Sequence, residues 1–218
     1  MSVTLSTGLS DTSRELGETV TNNTSSRVSS YNDAVQTFFN EKKWPFARKS
    51  DATQTTTSGT QTYTIPMSDW RAPGGIYKIK VGSTTHLPID EEDKERAENN
   101  GGAFFYLNEL DTQVTFLKDI TTTGTTITYY YYAVPTRITD TTSGVFALLP
   151  DRCRKVVAYL TASFVLRGRH MNGEANDRFK LYQLEVKNMS LQQSERNTNH
   201  PRTFGHYLKH LGWRRTYP

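Results

Sequence analysis

The chain has 218 residues, room for one large domain or a domain carrying a sizeable insertion. Its apolar fraction of 35% is low for a core running the whole length, so part of the chain is expected to stay extended or to pack on another subunit. The single cysteine, Cys153, excludes a disulfide-stapled scaffold and fits assembly in a reducing cytosol. Met1 to Ser6 lacks the basic region and apolar run of a signal peptide, and nowhere do 18 apolar residues follow one another. Neither a secretory leader nor a transmembrane helix is therefore expected. The sequons at Asn22, Asn23 and Asn188 are accordingly read as chance matches.

The net charge of +4 has a definite place. From Thr198 to Pro218 the chain carries Arg202, Lys209, Arg214 and Arg215 and no acid, so the preceding 197 residues are formally neutral, with 22 bases and 22 acids. Three of the five histidines, His200, His206 and His210, lie in the same segment.

In chain order, Leu9, Leu16 and Val20 fit one face of a short helix starting near Ser10, with Asp11 and Ser13 as capping residues. A second helix is read from Val28, Tyr31, Ala34, Val35, Phe38 and Phe39, spaced three and four apart. It ends at Lys42-Lys43, where cations suit the helix C-terminus and Pro45 disfavours helix at Trp44. From about Ala52 to Thr139 the period changes to two. Gln61 to Ile65, Ile76 to Val81, Val114 to Leu117 and Thr125 to Val134 read as strands, rich in threonine and tyrosine. Gly59, Pro73-Gly74-Gly75, Gly82, Gly101-Gly102 and Gly124 mark the turns. Asp90 to Glu98, with six acids and two bases, reads as a surface loop or helical turn.

After Pro150 the helical period returns. Val156, Val157, Tyr159, Leu160, Phe164 and Val165 form a helix buried on most sides. Gly168 to Gly173 connects it to another, whose stripe of Phe179, Tyr182, Val186 and Met189 is widened by Leu181 and Leu184. The pair is expected to form an antiparallel hairpin. The fold class is thus α+β: a helical bundle core interrupted by a β-rich insertion, with an extended C-terminal arm. The boundaries are 1–50 for the N-terminal helices, 51–140 for the β-rich insertion, 141–196 for the helical hairpin and 197–218 for the basic aromatic arm.

Motifs for chemistry are sparse. Pro73-Gly74-Gly75 lacks the spacing and lysine of a phosphate loop and reads as a β-turn. His206 and His210 have zinc-like spacing, but no Glu, Asp or Cys stands near to complete a site. Asp90, Glu91, Glu92 and Asp93 lack the alternation and turn glycine of a calcium loop. Cys153, between Arg152 and Arg154, sits where a thiol pKa can fall, but no histidine base is identifiable, and a plain helical cysteine is the better reading. No cofactor, metal or catalytic cluster is expected. In the arm, Phe204, Tyr207, Leu208, Leu211, Trp213 and Tyr217 interleave with Arg202, Lys209, Arg214 and Arg215. Such a mixture can anchor in a neighbour's groove, stack on bases while its cations meet phosphate, or be a disordered solvated tail. The anchor reading leads, since six large apolar residues in 21 are many for pure disorder.

Several short motifs follow one another in a familiar order. The helix Val28 to Lys43 runs into Trp44-Pro45-Phe46-Ala47-Arg48, followed by Gly59 to Pro66. Ile127-Thr128-Tyr129-Tyr130 then leads to Pro135-Thr136, and Leu149-Pro150-Asp151-Arg152 opens the last helices. Over about residues 25–195 this order resembles the head-to-tail adaptor proteins of tailed bacteriophages, the head-completion or neck group that includes the tubular tail protein of short-tailed phages. The resemblance implies a non-enzymatic virion subunit at the head–tail interface, assembled in the host cytoplasm. It implies a ring of copies, commonly about twelve, beneath a portal protein and above a downstream tail or nozzle protein. Genomic DNA would pass through the channel without sequence-specific binding, and no membrane is involved. The arm would dock on the portal, with Arg202, Phe204, Tyr207, Lys209, Trp213, Arg214 and Arg215 as contact residues. The alternatives are a nucleic-acid-binding protein that uses the basic arm, or another tail-completion or nozzle component.

Overall fold

A computed structural model describes residues 2–198, apart from 22, 73, 100, 109–111 and 119. In chain order the elements are β1 (Ser2–Thr4), α1 (Leu5–Glu15), α2 (Ser25–Glu41), β2 (Arg48–Thr55), β3 (Thr62–Thr64), β4 (Ile76–Val81) and β5 (Thr84–Pro88). Then come α3 (Lys94–Asn99), β6 (Phe104–Leu107), β7 (Gln113–Phe116), β8 (Thr126–Tyr132), β9 (Val145–Pro150), α4 (Arg154–Gly168) and α5 (Asn172–Thr198). The fold is α+β, with helices gathered at both ends of the sequence around a curled sheet contributed by its middle.

The helical part is built around α4. Val156 to Ser163 are all buried, because α1, α2 and α5 pack around this one helix. An apolar face all round is what such a central position requires. Antiparallel to α4 runs α5, after a short connection in which His170 takes the left-handed conformation at φ 60°. Phe38, Trp44 and Phe46 stack, with Phe38 and Trp44 ring centroids 4.7 Å apart, and the Trp44 indole N–H donates to the Phe38 carbonyl at 2.7 Å. That bond turns the chain out of α2; Pro45 then opens a single 3-10 turn leading into β2.

The first helix begins earlier than its apolar spacing implies. Thr4, not Asp11 or Ser13, caps it: the Thr4 hydroxyl accepts from the Thr7 N–H at 3.1 Å. Val20 lies beyond the helix and is 75% exposed. The start is set by long-range pairing that local propensity cannot show, since β1 pairs antiparallel with β9, nearly 150 residues away in the chain. Leu5 and Leu9, four apart, then fall into the core.

Seven strands form one sheet in the order β2-β8-β4-β5-β6-β7-β3, antiparallel except for β5 and β6. Four of these were legible as strands; β2, β5 and β6 were not, and neither was β9 outside the sheet. The strand β2 reads Arg-Lys-Ser-Asp-Ala-Thr-Gln-Thr, with no apolar alternation at all; its pairing with β8 makes it a strand. Alternation is clear in β8, where Ile127, Tyr129 and Tyr131 face a second core with Ile79, Phe105, Val114 and Phe116. The sheet curls until its two outer strands meet: the Gln54 side-chain amide donates to the Thr64 carbonyl at 3.2 Å, and the Thr57 N–H donates to the Tyr63 hydroxyl at 3.0 Å. Both edges are thereby partly covered.

The chain enters and leaves the sheet at one place. The Ala133 N–H donates to the Ala47 carbonyl at 2.8 Å, and Leu148 packs against both cores. Buried Asn32 of α2 clasps the exit, donating to the Ile138 carbonyl and accepting from the Ile138 N–H, both at 2.8 Å. A side-chain amide satisfying one residue's backbone in both directions holds that segment as a strand partner would.

Candidate assembly interface

The groups singled out for chemistry do not converge. Cys153 is fully buried in the helical core. Burial pushes its thiol up to about 11, outweighing the neighbouring Arg152, so the sulfur is a neutral packing atom near neutral pH. Glu91–Asp93 form a 3-10 turn leading into α3, with Asp90, Glu91 and Glu92 exposed to solvent. Among the described residues no group of three or more His, Cys, Asp or Glu is placed to hold a metal ion. No helix among them is long and apolar enough to cross a membrane. Ahead of β4, Gly75 is required by close approach: a Cβ there would stand 2.0 Å from the Arg71 carbonyl oxygen. Arg202, Phe204, Tyr207, Lys209, Trp213, Arg214 and Arg215 lie outside the described residues, as do His206 and His210.

Two surfaces are distinctive. The first is the outer face of the sheet. Because Tyr130 and Tyr132 alternate with the inward side chains of β8, they meet Tyr77 of β4; ring centroids lie 6.4 Å and 5.1 Å from that of Tyr77. Arg48 lies over Tyr77 and Tyr132 at 5.6 and 5.7 Å, and Lys78 lies over Tyr130 at 3.9 Å. Two cations are thus held against the faces of three tyrosine rings tilted to one another by 50–55°.

The second surface surrounds α5. At roughly 100° per residue, Ala175, Phe179, Tyr182, Val186 and Met189 form one stripe, and this stripe meets the core. Leu181 and Leu184 do not widen it. With Leu191 they point almost the opposite way, exposed by 37%, 54% and 52% respectively. The sequence carried the signal in the angle: Leu181 stands one residue from Tyr182 and five from Val186, and Leu184 two from each, offsets that do not share a helix face. A surface helix with a second apolar stripe on its outer face is unusual for a domain that stands alone.

Beside α5 runs a groove of about 800 Å³, lined by Asp33, Thr37 and Glu41 of α2, Phe164 of α4, and Phe179 and Tyr182 of α5. Phe164 and Phe179 are only half-buried. The Tyr182 hydroxyl donates to the Glu41 carboxylate. Burial, reinforced by that charge, pushes the phenol well above its ordinary range and keeps it neutral. Asp33 pairs with Arg137 at the rim. An apolar floor with carboxylates along one wall can receive an apolar ridge flanked by cations.

No curated protein matches the chain. Its sequence does match the family described as SU10 adaptor protein over residues 4–203. The matched span takes in both helical segments and the whole sheet and stops at the beginning of the arm, so that Phe204, Tyr207, Lys209, Trp213, Arg214 and Arg215 lie beyond it. The match agrees with the resemblance carried by the order of elements from the Trp44-Pro45 turn to Leu149-Pro150. The chain belongs to the SU10 adaptor protein family.

Proposed function

We propose that this chain is a ring-forming structural subunit of a tailed-phage particle, which joins the portal of the head to the tail and extends the channel through which DNA leaves. Family membership over residues 4–203 carries the reading. An α+β body with an apolar outer stripe on α5 and a separate groove supports it, since a subunit of an assembly needs contact surfaces that a free domain does not. In this reading the arm, 197–218, is the portal anchor. Phe204, Tyr207 and Trp213 insert, while Arg202, Lys209, Arg214 and Arg215 pair with portal acids. Copies surround the channel, and a downstream tail or nozzle protein binds the opposite side. The role is structural and not catalytic, and DNA slides past without specific contacts.

The test is native mass spectrometry of the purified protein alone and after mixing with the portal ring. Twelve chains of 24.8 kDa would add about 300 kDa to the portal. Absence of any portal complex, together with salt-sensitive binding of free DNA that is lost with the arm, would replace this reading with nucleic-acid binding.

A further inference from the structure

We propose that copies of this chain join head to tail through α5: the outward leucines of one copy, Leu181 and Leu184 with Leu191 extending the line, seat in the α2–α5 groove of the next. The inference rests on the ring-subunit reading and names the surfaces that make the ring.

Three features lead to it. The first is the spacing of the stripe. Leu181, Leu184, Asn188 and Leu191 follow intervals of three, four and three, the pattern of a helix that lays a seam against a neighbouring surface. A single amide among the leucines costs stability but penalises shifted registers, as it does in helical seams generally.

The second is the receiving surface. The groove exposes parts of the Phe164 and Phe179 rings and holds about 800 Å³, room for a row of leucine side chains. Nothing else among the described residues fills it.

The third is charge at matching spacing. Lys180 and Lys187 flank the stripe seven residues apart, about 10.5 Å along the helix at 1.5 Å per residue. Asp33, already paired with the exposed Arg137, and Glu41, which accepts from the Tyr182 hydroxyl, lie along one wall of the groove. They are eight residues apart on α2, about 12 Å by the same measure, and each carboxylate has a further oxygen with which to receive a lysine. Among the described residues Lys180 pairs with Asp177 on its own helix, each side chain 74% exposed. Such a pair contributes little and is readily exchanged for a partner's carboxylate.

The stripe and the groove lie on different sides of α5, so the contact is heterologous. Each copy that offers its stripe still has an open groove, and the contact repeats until rotation closes a ring. A face-to-face dimer of stripes would end assembly at two.

Crosslinking on the full-length protein tests this. The double variant Thr37→Cys/Leu184→Cys, assembled on portal and oxidised, is expected to give a ladder of covalent multimers on a non-reducing gel. Cys153 is fully buried and contributes none. Leu184→Cys alone is expected to give monomer; covalent dimer from it would mean stripe against stripe and would overturn the proposal. Capture of the Thr37→Cys thiol by Trp213→Cys in the arm would also overturn it, by making the arm the occupant. In parallel, Leu184→Glu is expected to lower ring formation at least tenfold while leaving the denaturation midpoint within error of wild type. If wild type forms rings on portal but the double variant gives no ladder, or Leu184→Glu assembles normally, the α5 contact is wrong and the adaptor reading stands. If wild type neither forms rings nor binds portal, both fall.

Discussion

Glu18 grips the guanidinium of Arg27 through two parallel hydrogen bonds, 2.9 and 3.2 Å long, although the Arg27 side chain is only 2% exposed. Arg169, at the end of α4, adds a third bond to the same carboxylate at 2.8 Å. One acid therefore ties the turn after α1 to the start of α2 and to the α4–α5 corner. Arg154 with Asp11, and Arg178 with Glu15 at 2.9 Å, repeat the tie farther along α1. The N-terminal helix is held to the hairpin by charge as well as by Leu5 and Leu9.

Removing that carboxylate leaves a buried cation with nothing to neutralise it. Glu18→Gln is expected to cost about 3 kcal/mol in urea unfolding at neutral pH. The hydrogen bonds from Arg27, more than any other influence, hold the Glu18 carboxyl down at about 2, below its ordinary 4.5. Its contribution is therefore full above pH 4.5 and is lost as pH falls from there towards 2. The difference between wild type and Glu18→Gln should narrow over that window; a constant gap from pH 7 to pH 3 would show that the carboxylate does not act through its charge.

The hydroxyl of Tyr31 is buried without a hydrogen-bond partner among the described residues, and its ring lies against Gly8. Tyr31→Phe is expected to be neutral or to stabilise by up to about 1 kcal/mol, because it removes a desolvated polar group and keeps the ring. Gly8→Ala is expected to destabilise by about 2 kcal/mol, since its Cβ would stand 2.1 Å from Tyr31 Cζ. Combining Gly8→Ala with Tyr31→Leu should recover part of that loss, a non-additivity measurable by a double-mutant cycle.

His86 is 5% exposed inside the sheet, its ring edge-on to Phe116 at 4.8 Å and its Nδ1 without a partner among the described residues. Burial lowers its pKa in the folded state. The unfolded chain thus binds the proton more readily. Stability is full above the ordinary imidazole value of about 6.5 and declines as pH drops below it. Unfolding free energy measured between pH 8 and pH 5 should show this slope in wild type and a shallower one in His86→Phe.

Deleting 198–218 is expected to abolish association with the portal ring in native mass measurements while circular dichroism and melting temperature stay unchanged. Undiminished portal binding by the truncated chain would remove the arm from the role of anchor. Single alanine substitutions at Trp213 and Arg214 should each weaken binding at least tenfold if the arm docks through a few buried anchors, as aromatic and arginine residues commonly do.

The sequence by itself determined the order of helical and extended segments, the helix from Val28 to Phe39, the buried helix after Pro150, and the strands whose faces alternate, such as Ile76 to Val81 and the run Thr125 to Val134, within which β8 lies. These are periodic signals, carried by neighbours three, four or two residues away. The order of motifs also carried the adaptor family. What only tertiary structure decided depends on partners distant in the chain. Arg48 to Thr55 is a strand because β8 lies beside it, Thr4 caps a helix because β1 is pinned to β9, and the outer strands meet because Gln54 reaches Thr64. The same holds for α5. In the sequence Leu181 and Leu184 read as widening its core stripe, yet they face solvent, because Tyr182 and Val186 already fill the single face that α4 can cover.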